Sequence, residues 1–270
     1  MTLRNILVHL DSSPRTAERL QLAVNLARTH DARLAGIFAQ RAEAYRVGVV
    51  AVWPPESYKL AAEASKAQFE AAVTGLRQTQ WSDLNRGSDH EIVHLLTEAA
   101  RHYDLAIIGQ EDEDAPKILP RELAEQLIVE SGRPVLVVPY AGHYADLGAR
   151  PLIAWTEARS AARALNDALL LIKPDAKAAV LTVGAGTEGQ KLSAEHMAEH
   201  LRAHKINADI EHVQVTEVGL MDTILNLAAD RAADLLVMGA FGSYGYPILS
   251  RGSGTRYMLR HMTAPCLFSH

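Results

Sequence analysis

At 270 residues, with 48% hydrophobic and 22% charged side chains, the chain has the composition of a soluble globular protein with room for two domains. A formal charge of −5 speaks against a nucleic-acid or anionic-membrane surface, both of which favour basic patches. The only cysteine, Cys266, excludes an internal disulfide and a cysteine zinc cluster, and its setting in PCLFSH reads as an inert thiol in a buried strand.

In chain order, MTLRNILVHL enters a strand at once, NILVHL (5–10), with no signal-peptide pattern. No apolar stretch approaches the ~20 residues of a membrane-spanning helix, so a cytoplasmic protein is expected. A helix follows in SSPRTAERLQLAVNLARTH, with Ser12 or Ser13 as its N-cap. Next come the strand ARLAGIFAQ (32–40), a loop containing VWPPESY, a long helix over 58–78 and a short polar strand near Trp81. HEIVHLLTEAARHY is a helix, DLAIIG a strand, QEDEDAPKILP an acidic loop, RELAEQLIVES a helix and PVLVVP a strand.

The remainder repeats this order. PLIAW (151–155), KAAVLTV, DIEHVQV, DLLVMG and PCLFSH are strands; SAARALNDALLLI, a segment over 193–203, GLMDTILNLAADRA and TRYMLRHM are helices. RHYDLAIIG aligns with RAADLLVMG, and SGRPVLVVP with MTAPCLFSH. Gly109 precedes Pro134 by 25 positions and Gly239 precedes Pro265 by 26. This is a tandem duplication, with domains expected at 1–142 and 149–270 and the boundary in AGHYADLGA (141–149). Alternating strands and helices with short links specify a parallel sheet with helices on both faces in each half. Ligands of such sheets bind at the carboxyl ends of the strands, where the strand order reverses.

The loop at that place in the second half, GAFGSYGYPILSRGSG, packs five glycines into sixteen positions. Gly239 and Gly242 let the backbone turn off the strand and approach a ligand closely. Gly252-Ser253 then opens a helix, whose unpaired N–H groups and dipole favour an anion, and Ser253 can cap the helix or donate to a phosphate oxygen. Arg251 and Arg256 flank it with positive charge.

Gly239-x2-Gly242-x9-Gly252-Ser253 matches the G-x2-G-x9-G-[S/T] motif of the universal stress protein family, and DLLVMGAFG and TRYMLRHMTAPCLFSH resemble that family's ending. NILVHLDSSPRTAERLQLAVNLA resembles its opening, so the resemblance covers nearly the whole chain as a tandem member. It implies two flavodoxin-like α/β domains, each a five-stranded parallel sheet with helices on both faces. It implies an adenine nucleotide, ATP or AMP, with magnesium accompanying ATP, held by Gly239, Phe241, Gly242, Arg251, Gly252, Ser253 and Gly254 at the phosphates and ribose. Met238 would border the nucleoside, and Trp155, Thr156 and Val183 would lie near the adenine. It also implies association of the two halves through their fifth strands, PVLVVP beside PCLFSH, with a homodimer as a further option.

Two departures from the family pattern qualify this. The aspartate expected after the first strand is present at Asp11, whereas the second half reads Thr156-Glu157 there. Conversely, the first half has Asp112 in place of the second glycine and adds Glu111, Glu113 and Asp114, four carboxylates that would repel phosphate. The first half is therefore expected to be degenerate and the second to carry the one nucleotide site, regulatory rather than catalytic. A slow ATP hydrolase or autophosphorylating enzyme on the same site, and a nucleotide-free scaffold, are the alternatives.

Gly184-x-Gly186-x-x-Gly189 formally matches a dinucleotide fingerprint but follows the second strand of its half, where the pyrophosphate loop does not belong. No GxxxxGK[ST] P-loop is present. His196, His200 and His204 share one helical face at metal-ligand spacing, which a polar exposed face explains equally well.

Overall fold

In a computed structural model of the chain the described residues are 2–42, 45–47, 50–84, 88–183, 187–214, 219–242 and 252–270. They divide into two compact units, Met1–Val135 and Leu136–His270. That division falls inside the strand that the sequence assigns to the end of the first half.

In the first unit the elements are β1 (Asn5–Leu10), α1 (Thr16–His30), β2 (Arg33–Phe38), β3 (Tyr45–Val47), β4 (Val50–Val52), α2 (Glu56–Ala72), β5 (Thr79–Asp83), α3 (Asp89–Ala100), β6 (Leu105–Gly109) and α4 (Leu123–Glu130), with β7 (Val135–Val138) spanning the division. β6, β1, β2 and β5 lie side by side in that order, all parallel. The antiparallel hairpin β3–β4 was not legible in the sequence, because three-residue strands show too little alternation to be read. α1 packs on β1, β2 and β6 and α2 on β2 and β5, while α3 packs on α4. Continuous burial of β1 and β6 is what covering on both faces demands of a parallel strand.

Among the helix ends that differ from the sequence reading, three have a visible local cause. α1 is not capped by Ser12 or Ser13: its N-cap is Arg15, with no side-chain cap, and Thr16 N–H donates to the Ser13 carbonyl at 3.1 Å. The Asp11 carboxylate organises the entry instead. α2 stops at Ala72, not 78, where the Thr74 hydroxyl donates back to the Ala71 carbonyl at 3.0 Å and Gly75 takes a left-handed φ of 87°. The helix expected over 193–203 starts five residues earlier, at Glu188, because Thr187 and Gln190 form a capping box.

The second unit contains β8 (Pro151–Ala154), α5 (Arg159–Ala168), β9 (Ala178–Val183), α6 (Glu188–Ala203), β10 (Ala208–Val213), α7 (Leu220–Asp230), β11 (Leu235–Gly239), α8 (Ser253–His261) and β12 (Cys266–Ser269). The parallel order is β10-β9-β8-β11-β12, so the winding reverses between β8 and β11. α5 packs on β11 and β12, α6 on β9 and β10, and α7 on α8. Cys266 is fully buried and burial pushes its thiol pKa well up, which leaves it a small apolar side chain.

Both units are fastened alike at the edge where their strands begin. Asp104 accepts from Arg4 N–H (2.8 Å) and Asn5 N–H (3.0 Å). Asp234 accepts from the N–H groups of Gly148 (3.2 Å), Ala149 (2.9 Å) and Arg150 (2.9 Å). Among the described residues no helix is long and apolar enough to cross a membrane.

Candidate functional site

The winding reversal between β8 and β11 places the ends of both strands and the start of α8 at the position where doubly wound sheets take ligands. Gly239 closes β11. A Cβ there would lie 2.4 Å from Ala161 N and 2.5 Å from Ser160 C, so the backbone of α5 sits directly against it. Gly239 is bare because a helix approaches it, a reason the spacing of the motif does not reveal. A Cβ on Gly242 would meet the Ser160 hydroxyl at 3.0 Å and the Ala158 Cβ at an ordinary 3.8 Å.

Neither of these glycines takes the left-handed conformation; Phe241 between them does, at φ 52°. That strained turn is held by Phe241 N–H donating to the hydroxyl of Thr255, a fully buried residue of α8, at 2.9 Å. Gly252 is the N-cap of α8 at φ 85°, and a Cβ on it would strike the Phe241 ring at 2.6 Å. The Arg256 guanidinium lies over the same ring, 5.9 Å from its centre. Glycine turn, Phe241, Gly252, Ser253 and Gly254 are thus gathered at one helix start. The Ser253 hydroxyl does not cap α8; its oxygen is buried with no hydrogen-bond partner among the described residues. The nine intervening positions of the motif, 243–251, lie outside the described residues, and Arg251 with them.

The residues expected around the nucleoside divide. Trp155 is 8% exposed and its Nε1–H donates to Ser193 Oγ of α6 at 3.0 Å, so the indole serves the packing of that helix. Met238 is buried in β11, and Val183 is half-buried at the end of β9. Thr156, also half-buried, accepts weakly from Ala158 N–H at 3.4 Å, while Glu157 is exposed. Of the formal dinucleotide fingerprint, Gly189 falls in the first turn of α6 and the other two glycines lie outside the described residues.

The first unit supplies a comparison. Ile6 pairs with Leu105 and Pro151 with Leu235, so Asp11 occupies the place of Thr156, and in the helices Arg19 that of Ala164. The Asp11 carboxylate accepts from Ser13 N–H (2.7 Å), the Thr16 hydroxyl (2.7 Å) and Arg19 Nη2 (2.8 Å). Arg19 Nε–H donates to the His9 carbonyl at 2.8 Å, and its Nη1 lies 2.1 Å from where a Cβ on Gly109 would stand. Asp11, Arg19 and His9 are each at most 3% exposed. The aspartate that the family resemblance points to is therefore consumed by an internal partner that sequence spacing did not reveal. Beside it, Arg41 N–H donates to the Ile118 carbonyl at 2.7 Å and Arg41 Nη1 to the Lys117 carbonyl at 3.2 Å, tying down the acidic loop.

Burial opposes ionisation of Asp11, but the Arg19 guanidinium, His9 and the donors from Ser13 and Thr16 outweigh it and hold the carboxyl well below the usual range. His9 Nε2 lies 2.8 Å from the Ala39 carbonyl, and Nδ1 lies 3.8 Å from Asp11 Oδ2 with no hydrogen-bond partner among the described residues. Burial lowers its pKa to about 4. The unfolded chain takes this proton near pH 6.5 and the folded chain does not until about pH 4, so stability falls as pH drops across that window. The loss should approach 3 kcal/mol, or ~1.4 kcal/mol per unit. Denaturant unfolding at pH 7, 5.5 and 4 measures it, and His9→Gln is expected to flatten the profile.

No curated protein sequence matches the chain. The sequence model of the Universal stress protein family matches residues 149–270. Among solved structures, a universal stress protein from Archaeoglobus fulgidus DSM 4304 superposes with a TM-score of 0.71 at 18% identity, covering 98% of this chain and 96% of that one. A functionally unknown protein from Pseudomonas aeruginosa PAO1 superposes at 0.60 and 17% identity, covering 99% and 92%. These likenesses establish the fold over both units, and the family match rests on the half that carries the glycine turn. Residues 149–270 therefore carry a universal stress protein domain, and the first unit repeats its topology.

Proposed function

We propose that the second unit binds an adenine nucleotide, ATP or AMP, with its phosphates at the start of α8, and that occupancy regulates the protein's associations. The observation that carries this reading is the Ser253 hydroxyl, buried and without a hydrogen-bond partner among the described residues, in the first turn of a helix that has no side-chain cap. Orphan N–H groups and the helix dipole make that place attractive to an anion, and a phosphate oxygen completes the hydroxyl. Thr156, where the family pattern places an aspartate, leaves the nucleoside end without that carboxylate, so the phosphate end carries the reading.

The regulatory assignment rests on what phosphoryl transfer requires, a carboxylate to hold magnesium near the γ-phosphate. Among the described residues of the turn and the first turn of α8, positions 239–242 and 252–255, there is none. The same reading includes a cytoplasmic stress-response role and association of the halves through PVLVVP and PCLFSH, with the first unit nucleotide-free.

Calorimetric titration of the full chain with ATP and with AMP is expected to show one site per chain. Gly252→Asp, which sets a carboxylate where phosphate belongs, should weaken it at least tenfold while the thermal melt confirms folding. Absence of binding to either nucleotide would overturn the reading, and timed phosphate release above background would replace regulation by hydrolysis.

A further inference from the structure

At the strand-start edge of the second unit, opposite the glycine turn, lies a cavity of about 450 Å3. Its apolar lining is mostly alanine, Ala178, Ala179, Ala208 and Ala233 among them, with Pro151 and Leu152. Three cations stand among the lining residues, Arg150, Lys177 and Arg231, against one carboxylate, Asp209. Arg231 is paired with Glu211 and lies 3.9 Å from Asp209, and Arg150 Nε–H donates to the Ala232 carbonyl at 2.7 Å. Among the described residues no ion pair involves Lys177, which is exposed.

The internal repeat shows what fills this space. Matching the strand registers sets Leu34 against Ala178 and Arg33 against Lys177, and matching RHYD with RAAD sets Tyr103 against Ala233. The match is confirmed by two equivalent bonds, Asn5 Nδ2–H to the His102 carbonyl at 2.8 Å in one unit and Arg150 Nε–H to the Ala232 carbonyl in the other. In the first unit the Arg33 guanidinium lies over the Tyr103 ring, 5.9 Å from its centre, and donates to Asn5 Oδ1 at 3.4 Å and to Gln80. The second unit replaces the phenol ring and the leucine by methyl groups and keeps a cation, Lys177, among the residues lining the space they vacate.

We infer that this cavity is a binding site for a small aromatic anion, its ring seated where Tyr103 sits in the first unit and its carboxylate facing the cations of Lys177, Arg150 and Arg231. The volume falls in the range of small-ligand sites, a planar ring under a cation gains the attraction that Arg33 makes with Tyr103, and the excess positive charge selects an acid over its neutral analogue. The site is independent of nucleotide binding and stands whether or not the glycine turn holds ATP.

Amide NMR titration of the full chain with 4-hydroxybenzoate tests it. Saturable shifts are expected at Ala178, Ala179, Ala208 and Ala233, with 4-hydroxybenzyl alcohol at least tenfold weaker. Ala233→Tyr rebuilds the first unit's filling and should weaken binding at least tenfold; Ala178→Leu does the same should the tyrosine variant fail to fold. Lys177→Gln should erase most of the preference for the acid. Absence of saturable shifts, shifts elsewhere, or undiminished binding to the filled variant overturns the proposal.

Discussion

Replacing Arg19 by methionine is expected to lower the stability of the first unit by about 3–5 kcal/mol, the cost of leaving one member of a buried ion pair uncompensated. Asp11 would keep its donors from Ser13 and Thr16 but lose the only cation that touches it among the described residues. The carboxylate would then lie buried at 3% exposure, with water unable to reach it. Adding Asp11→Asn removes the stranded charge and keeps an acceptor for Ser13 and Thr16, so the double variant should return to within about 2 kcal/mol of the parent. Urea unfolding followed by circular dichroism measures both. A single variant that costs less than about 1 kcal/mol would show that Arg19 does not hold this corner of the fold.

Gly239→Ala is expected to cost about 3 kcal/mol and to weaken nucleotide binding at least tenfold. The added methyl meets backbone first, Ala161 N at 2.4 Å and Ser160 C at 2.5 Å, with the Ser160 hydroxyl at 2.6 Å, so α5 must move off β11. Gly242→Ala supplies the control, because its methyl meets the Ser160 hydroxyl at 3.0 Å and a rotamer change relieves it. That variant should lose less than about 1 kcal/mol. Thermal melts together with calorimetric titration separate the two effects. Equal losses from the two variants would mean that the glycines share one role, contrary to their surroundings.

The duplication, the parallel sheets and the position of the glycine turn were legible because each leaves a local pattern: apolar runs for doubly covered strands, repeated punctuation, and Gly252-Ser253 ahead of a helix. What escaped was set by contacts between distant positions. Trp155 follows the first strand of its unit, and only the packed structure shows that its indole is hydrogen-bonded to Ser193 on α6. Asp11 matches the family's aspartate, but whether it faces a ligand depends on Arg19, eight residues on and one helical turn inside α1. The two units exchange this pair together, Asp11 and Arg19 in one, Thr156 and Ala164 in the other. The second unit therefore lacks both members of the pair, with neutral side chains at the two equivalent positions. The Thr255 bond that holds Phe241 was equally invisible, because it joins residues fourteen positions apart across the motif's variable stretch.

The carboxylates of Asp104 and Asp234 fix where the strands of each unit begin, through bonds to successive backbone N–H groups. A sheet anchored at one margin keeps its register while the loops of the other margin change. The two copies in this chain record that freedom: GAFGSYGYPILSRGSG and QEDEDAPKILPREL occupy the same station on sheets whose strands still begin alike. One duplication has thus given a charge-locked copy and a glycine-turned copy whose strands are still fastened at the same margin, by Asp104 in one and Asp234 in the other.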